Sequence, residues 1–250
     1  MAYSEKTVDS IASFVRHLSK DRERYKGTIW FRGQSDSSWP LLPGYIRLNN
    51  PPAETKLLNR FKQSAAMLAE FEPKQSLDWL MLMQHYGAPT RLLDWTENPM
   101  VGLYFALNSR EHHKGKDAAL WLLKPSELNK NAGINDKSDP FYIPSFQDSE
   151  VEAYSIEYLK TSSNVEQNPI AANAVRNNIR IQAQAGVFTI HHHIKTALEK
   201  IGDGKHVIKY KIPADKKGKI ADQLDVLGLN KFHVFPELAT IGEMIKDEFK

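Results

Sequence analysis

Between Asp78 and Leu107 the chain places Gln84, His85, Arg91, Asp94, Trp95 and Tyr104 along one helix, turn, strand and helix. A packed core does not need that much hydrogen-bonding and ionisable chemistry. His85, at a helix end, has a side chain that titrates near neutrality and suits a general base or a donor to an anion, or else a hydrogen-bonded cap. Arg91 and Asp94 stand three apart in an extended run and so point to opposite faces of an ideal strand. One of them is then expected to reach a site while the other is structural. Trp95 and Tyr104 offer flat surfaces on which a planar ring can stack, and the Tyr104 hydroxyl can meet a ribose or an amide; plain core is the alternative for both. Further upstream, Arg32 closes an aromatic run and is followed by Gly33 and Gln34. A sharp turn at Gly33 leaves the Arg32 guanidinium at a sheet edge, free to bind a phosphate or carboxylate with two parallel bonds, or to tie down the SDSSW loop through an ion pair. Glu54 and Glu237 are candidates for general acid or base chemistry, and each also sits where a negative charge favours the start of a helix.

Composition removes several classes. With no cysteine there are no disulfides, no thiolate nucleophile and no Cys-ligated zinc. The run His191, His192, His193 invites a zinc reading, but neighbours on a strand alternate faces and cannot share one ion. No metal site is expected, and His112 and His113 read as a surface cap at a helix end. The 33 Lys and Arg against 30 Asp and Glu leave a formal charge of +3, which permits nucleic-acid binding without indicating it. Lys216, Lys217 and Lys219 read as a solvated turn. At 41% hydrophobic and 25% charged, the chain has an ordinary globular composition. It lacks an apolar run near the roughly 20 residues of a membrane helix, and its polar start, MAYSEKTVDS, is unlike a signal peptide. A cytoplasmic protein with no membrane association is the expectation.

The elements that must position these groups follow from periodicity. Apolar residues predict a helix over Val8 to His17, a strand at TIWF, a Pro- and Gly-rich ordered loop anchored by Trp39 and Tyr45, and a helix from Leu57 to Phe71. A second helix, Leu77 to Tyr86, is closed by Gly87 and Pro89, and Arg91 to Trp95 is a short strand. Pro99 suits the first turn of a helix over Met100 to Ser109, and Ala118 to Leu123 is a strand buried on both faces. From Lys124 to Asn168 the composition turns to Asn, Asp, Ser and Pro, and a long excursion, a flap or an insertion, is expected. Beyond it the patterns predict a helix at Ala171 to Asn178, a strand at Gly186 to His191, a short helix near Thr196 to Ile201 and a strand at His206 to Ile212. A helix at Lys217 to Gly228, an FHVF strand and a helix from Leu238 complete the chain. Strands interleaved irregularly with helices imply an α+β mixed sheet.

On these residues the chain resembles the FRG domain family of bacteria and phages, named for the triplet that stands here as Phe31, Arg32, Gly33. The resemblance continues through QHYGAPTRLLDWTENPMVGLYFAL, an R-x-x-x-Q-x-G-V-F pattern at Arg180, Gln184 and Gly186 to Phe188, and F-P-x-L at Phe235 to Leu238. It implies a single domain over residues 1–250, with a variable insertion at about 124–168. WFRG is also similar to the aromatic-Arg-Gly strand of arginine-type ADP-ribosyltransferases, and GLYFA to a helix of their polymerase-like and DNA-modifying branches. That similarity implies a split β-sheet with flanking helices, NAD as substrate, Arg32 on the NAD phosphates and Tyr104 on the nicotinamide. Gly33, Gln34, Gln84, Arg91, Asp94, Trp95 and Gln184 are the accompanying candidates for nucleotide binding. A carboxylate is expected on the later strand, yet QAQAGVFTIH offers Gln182 and Gln184 and no Glu. Either Glu237 or Glu54 supplies it from another element, or the activity is lost or changed. The expected function is an ADP-ribosyltransferase-like effector of toxin or phage-defence type that modifies a nucleic-acid or protein target and meets a neutralising partner. The alternatives are a nucleotide- or nucleic-acid-binding module without chemistry, and a metal-dependent nuclease built on Glu54, Asp94 and His85.

Overall fold

The continuous apolar run Ala118–Leu123 becomes β4, with every residue buried. Ala118, Leu120 and Leu122 enter one core, while Ala119, Trp121 and Leu123 enter another on the opposite face. Each of the three fully buried leucines contributes about 1.5–3 kcal/mol. A computed structural model describes residues 3–68, 73–108, 115–162, 166–174, 179–192 and 194–249. The expected cap at His112 and His113, together with His193 and residues 175–178, lies outside the described residues.

Around β4 the other strands form one seven-stranded sheet: β1 (Ser4–Thr7), β2 (Trp30–Gln34), β3 (Leu92–Thr96), β5 (Ile170–Ala172), β6 (Gly186–Ile190) and β7 (Val207–Ile212), in the order β1-β7-β4-β2-β3-β6-β5. Every pairing is antiparallel except β1 with β7. The fold is therefore mixed α+β with an open, mostly antiparallel sheet. Helices α1 (Ile11–Arg24), α4 (Pro99–Leu107) and α9 (Lys217–Val226) cover one face, and α2 (Glu54–Ala65) and α3 (Ser76–His85) pack over the β3, β5 and β6 end.

The sheet is weakest between β2 and β3. β2 pairs with β4 over five residues, and β3 pairs with β6 over five, but β2 and β3 share only Phe31↔Thr96. Beyond that pair the two strands diverge, and the backbone groups there need other partners.

Gly33 does not make the expected turn. It lies inside β2, and a Cβ built on it would stand 2.2 Å from the Gly102 carbonyl oxygen and 2.3 Å from the Ala106 nitrogen. Its missing side chain lets α4 lie directly on the strand. That helix starts as its sequence predicts, with Pro99 in the first turn and the Asn98 side chain accepting from Met100 N.

Several expectations are corrected. Val8 N bonds to Lys211 O at 2.8 Å, which extends the β1 pairing, so α1 starts at Ile11 behind a Ser10–Ser13 capping box. β1 itself carries no apolar alternation and is exposed, which is why its pattern is silent. Ala171 and Ala172 belong to a strand: β6 pairs with them, and the Asn129 side chain donates to Ala171 O and accepts from Ala171 N. Tertiary pairing overrides the helix propensity of alanine there. The FHVF run is a helix, α10 (Lys231–Val234), because Asn230 caps it through Phe232 N and His233 N. Residues 124–168 hold α5 (Pro125–Asn131), α6 (Ser149–Glu152) and α7 (Ile156–Thr161) and bury Leu128, Phe146, Val151, Tyr154 and Ile156. That segment is part of the core. α11 (Leu238–Glu248) ends the chain as expected. Among the described residues no helix is long and apolar enough to cross a membrane.

Candidate functional site

The divergence of β2 and β3 opens a cavity of about 320 Å³. Arg32 on β2 spans the opening: its Nη1 donates to the Asp94 carbonyl at 2.6 Å and lies 3.9 Å from Asp94 Oδ2. The arginine thus supplies, by side chain, a cross-strand bond that the backbone no longer makes. Its Nε is buried with no hydrogen-bond partner. Burial lowers the Arg32 pKa from its ordinary value, and Arg47 lowers it further while Asp94 opposes the shift. A cation held in that setting is stabilised by any anion entering beside it.

Arg47 and Arg180 also line the cavity, and its walls are the rings of Trp39, Trp95, Phe105 and Phe188. A second hollow of about 290 Å³ adjoins it and shares Arg32, Arg47 and Gln84. Arg32, Arg47 and Gln84 therefore border both compartments.

Trp39 is set by a pinned loop. Lys217 Nζ donates to Ser35 O at 2.9 Å, Lys209 Nζ donates to Ser37 O at 2.7 Å, and Ser37 N donates to Asp117 O at 2.7 Å. Lys217 is buried, so the expected solvated turn is corrected at that residue. Gln34 accepts from Trp121 Nε1 at 2.8 Å and donates to Pro40 O at 3.3 Å, which holds the other end of the same loop.

Gln84, at the end of α3, accepts from Thr90 Oγ1 at 2.6 Å and donates to Asp94 Oδ2 at 2.5 Å, so its amide is locked and aims the Asp94 carboxylate. His85 lines the cavity beside it, half-buried, with its pKa lowered by burial and then by Arg180. Both effects favour the neutral imidazole, the form that can accept a proton. Thr96 Oγ1 donates to Gln184 O at 2.6 Å, and Gln184 Nε2 donates to Val234 O at 3.1 Å. This links the C-terminal segment to the cleft, where Arg180 of α8 (Ile179–Ala183) lies over Phe235 at 4.7 Å and 3.8 Å from Glu237.

Other candidates lie elsewhere. Arg91 is buried: its Nε meets Glu54 Oε2 at 2.7 Å, Nη1 donates to His191 O at 2.7 Å and Nη2 to Tyr154 O at 2.9 Å. Arg91 and Glu54 thus serve each other in the interior and neither lines the cavity. Of the pair weighed on β3, Asp94 is the one in the site. Trp95 is core on one edge, with its indole N–H on Thr189 Oγ1 at 3.0 Å, and cavity wall on another. Tyr104 packs edge-on against Phe105 and Phe235, accepts from Asn108 and does not line the cavity; the ring that α4 presents there is Phe105. Glu237 stands at the start of α11 on Arg180, and Gln182 is exposed outside the cavity. His191 is fully buried, and burial together with Arg91 pushes its pKa down to about 3. Among the described residues no three His, Asp or Glu side chains are grouped to hold a metal ion, so Glu54 does not join Asp94 and His85.

Arg180 and Phe105 escaped the sequence reading as site residues. A signal existed for Arg180: it precedes Gln184 by four residues, and on a helix that spacing puts both on one face.

Residues 27–115 match the family model of the FRG domain. The chain carries an FRG domain. The match covers β2, α2, α3, β3 and α4, so the FRG segment supplies Arg32, Gln84, His85, Asp94 and Phe105, while Arg180, Gln184 and Phe188 come from beyond it. Neither curated proteins nor solved structures yield a match to this chain.

Proposed function

We propose that this FRG domain binds a pyrophosphate-linked dinucleotide, NAD, and transfers its ADP-ribose group to a macromolecular acceptor, as an effector of toxin or phage-defence type. One observation carries the reading: Arg32 and Arg47 border two compartments, one of them walled by aromatic rings. A doubly charged linker between two nucleosides is the ligand that such a layout suits. The guanidinium groups take the phosphates, and the rings stack on a flat base. The sheet that opens at β2 and β3 and the similarity of WFRG and GLYFA to ADP-ribosyltransferase motifs favour NAD over other dinucleotides.

The chemistry asked of the site is breakage of the bond between nicotinamide and ribose. The electron pair leaves with nicotinamide, and the ribose carbon becomes electron-poor before an acceptor attacks. His85, on the cavity lining, takes the acceptor's proton. A nucleotide-binding module without chemistry is the second reading, favoured by the absence of a Glu in QAQAGVFTIH.

The test is NAD consumption by the purified protein, with and without cell lysate, following released nicotinamide and label from NAD on macromolecules. Wild-type release that Arg32→Ala abolishes is the expected result. Binding of NAD with no release in lysate would replace the transferase by the binding module.

A further inference from the structure

The transferase reading needs a carboxylate opposite the electron-poor ribose, and the strand that should carry it holds only Gln182 and Gln184. Resting on that reading, we infer that Asp94 of β3 is this carboxylate. Glu54 is committed to Arg91, and Glu237 stands on Arg180 outside the cavity. Among the described residues that line either compartment, Asp94 alone carries a carboxylate.

Its setting fits the task. Asp94 pairs across the sheet with Phe188, a wall of the same cavity, and its side chain is 55% exposed, so a ligand can reach it. The shorter contact of Arg32 is with the Asp94 backbone oxygen, at 2.6 Å, and the carboxylate lies 3.9 Å away. The guanidinium therefore orients the strand through its backbone and keeps only a long ion pair with the carboxylate. Gln84 Nε2, itself held by Thr90, fixes Oδ2 at 2.5 Å, and Oδ1 accepts no hydrogen bond from the described residues. One oxygen is positioned and the other is available to a ribose hydroxyl.

The step balances without a redox partner. The bond from the ribose C1′ to the nicotinamide nitrogen breaks, and its electron pair neutralises the pyridinium ring. Asp94 stabilises the positive C1′ centre, a fixed charge acting where charge develops. A water or acceptor oxygen or nitrogen then bonds to C1′ and gives its proton to His85.

The experiment compares wild type, Asp94→Asn and Asp94→Glu for NAD affinity by calorimetry and for nicotinamide release, with a thermal melt of each. Asp94→Asn should bind NAD within about threefold of wild type and release nicotinamide roughly 10²–10³-fold more slowly, the size of losing one such electrostatic group. Asp94→Glu should recover part of the rate, which a purely structural role does not predict. Wild-type turnover in Asp94→Asn would overturn the assignment of Asp94 and leave the transferase standing. A wild type that binds NAD without releasing nicotinamide would overturn both, and Arg32→Ala then tells whether the binding is in this cleft.

Discussion

Replacing Gly33 by alanine adds one methyl group at the place where β2 and α4 touch. The new Cβ would stand 2.2 Å from the Gly102 carbonyl oxygen, 2.3 Å from Ala106 N and 2.8 Å from the Phe105 carbonyl carbon, all of them backbone atoms. Ordinary contact begins near 3.4 Å. No rotamer change relieves the overlap, so α4 must move off the strand by about 1 Å, and close-packed interiors resist such shifts. Overpacking typically costs about 1–3 kcal/mol. A clash against two rigid elements belongs at the upper end, about 3 kcal/mol. For a domain of this size each kcal/mol lowers Tm by about 2–4 °C, so Gly33→Ala should melt roughly 6–12 °C below wild type. α4 carries Phe105 to the cleft, and the displaced helix should also weaken the proposed nucleotide binding. Gly218→Ala is the control: it lies in α9, a Cβ there meets nothing within 4 Å, and alanine should stabilise the helix by up to about 1 kcal/mol. Thermal melts and chemical denaturation of the three proteins measure the stabilities, and an NAD titration measures the binding. A Gly33→Ala protein within about 0.5 kcal/mol of wild type would refute the close-approach account of the FRG glycine.

Arg91→Met should lose about 3–5 kcal/mol of stability by denaturant titration, because it strands Glu54 as a buried charge and leaves the His191 and Tyr154 carbonyls without their donor; a loss below about 1 kcal/mol would mean that Glu54 finds water instead. His191 makes acid destabilising: its folded pKa of about 3 lies below the ordinary value of 6.5, so the unfolded chain binds the extra proton between those limits. Its contribution is fully present above pH 6.5 and is lost as pH falls toward 3, at up to about 1.4 kcal/mol per pH unit. His191→Leu should flatten the decline of stability over that window, and an unchanged slope would show that another group dominates it.

Local patterns located most of the helices and central strands, because amphipathic spacing, Pro99 in a first turn and an all-apolar β4 are signals that tertiary contact reinforces. Where packing opposes local preference the reading failed. Ala171 and Ala172 pair with β6 despite their helix propensity, and Phe232 to Val234 coil behind the Asn230 cap despite their β-rich composition. The chemistry divided in the same way. Arg32, Gln84, His85 and Asp94 were nominated from residue type and motif, and all line the cavity. Arg91 was nominated on the same grounds, and nothing local distinguishes it from Arg32. The difference lies in what surrounds each side chain: Glu54 and two carbonyls close around Arg91, whereas the divergence of β2 from β3 leaves Arg32 Nε without a partner.

By itself the sequence determined the residue chemistry, the absence of cysteine and the order of most elements, since these depend on side-chain type and on contacts a few residues apart. Tertiary structure alone decided which charges face the cleft. It set Arg47 and Arg180 beside Arg32 from separate loops and helices, turned Phe105 inward in place of Tyr104, and left Asp94 as the carboxylate there among the described residues. The physical reason is that burial and the pairing of a charge are properties of the space around it, and that space is assembled from residues distant in the chain.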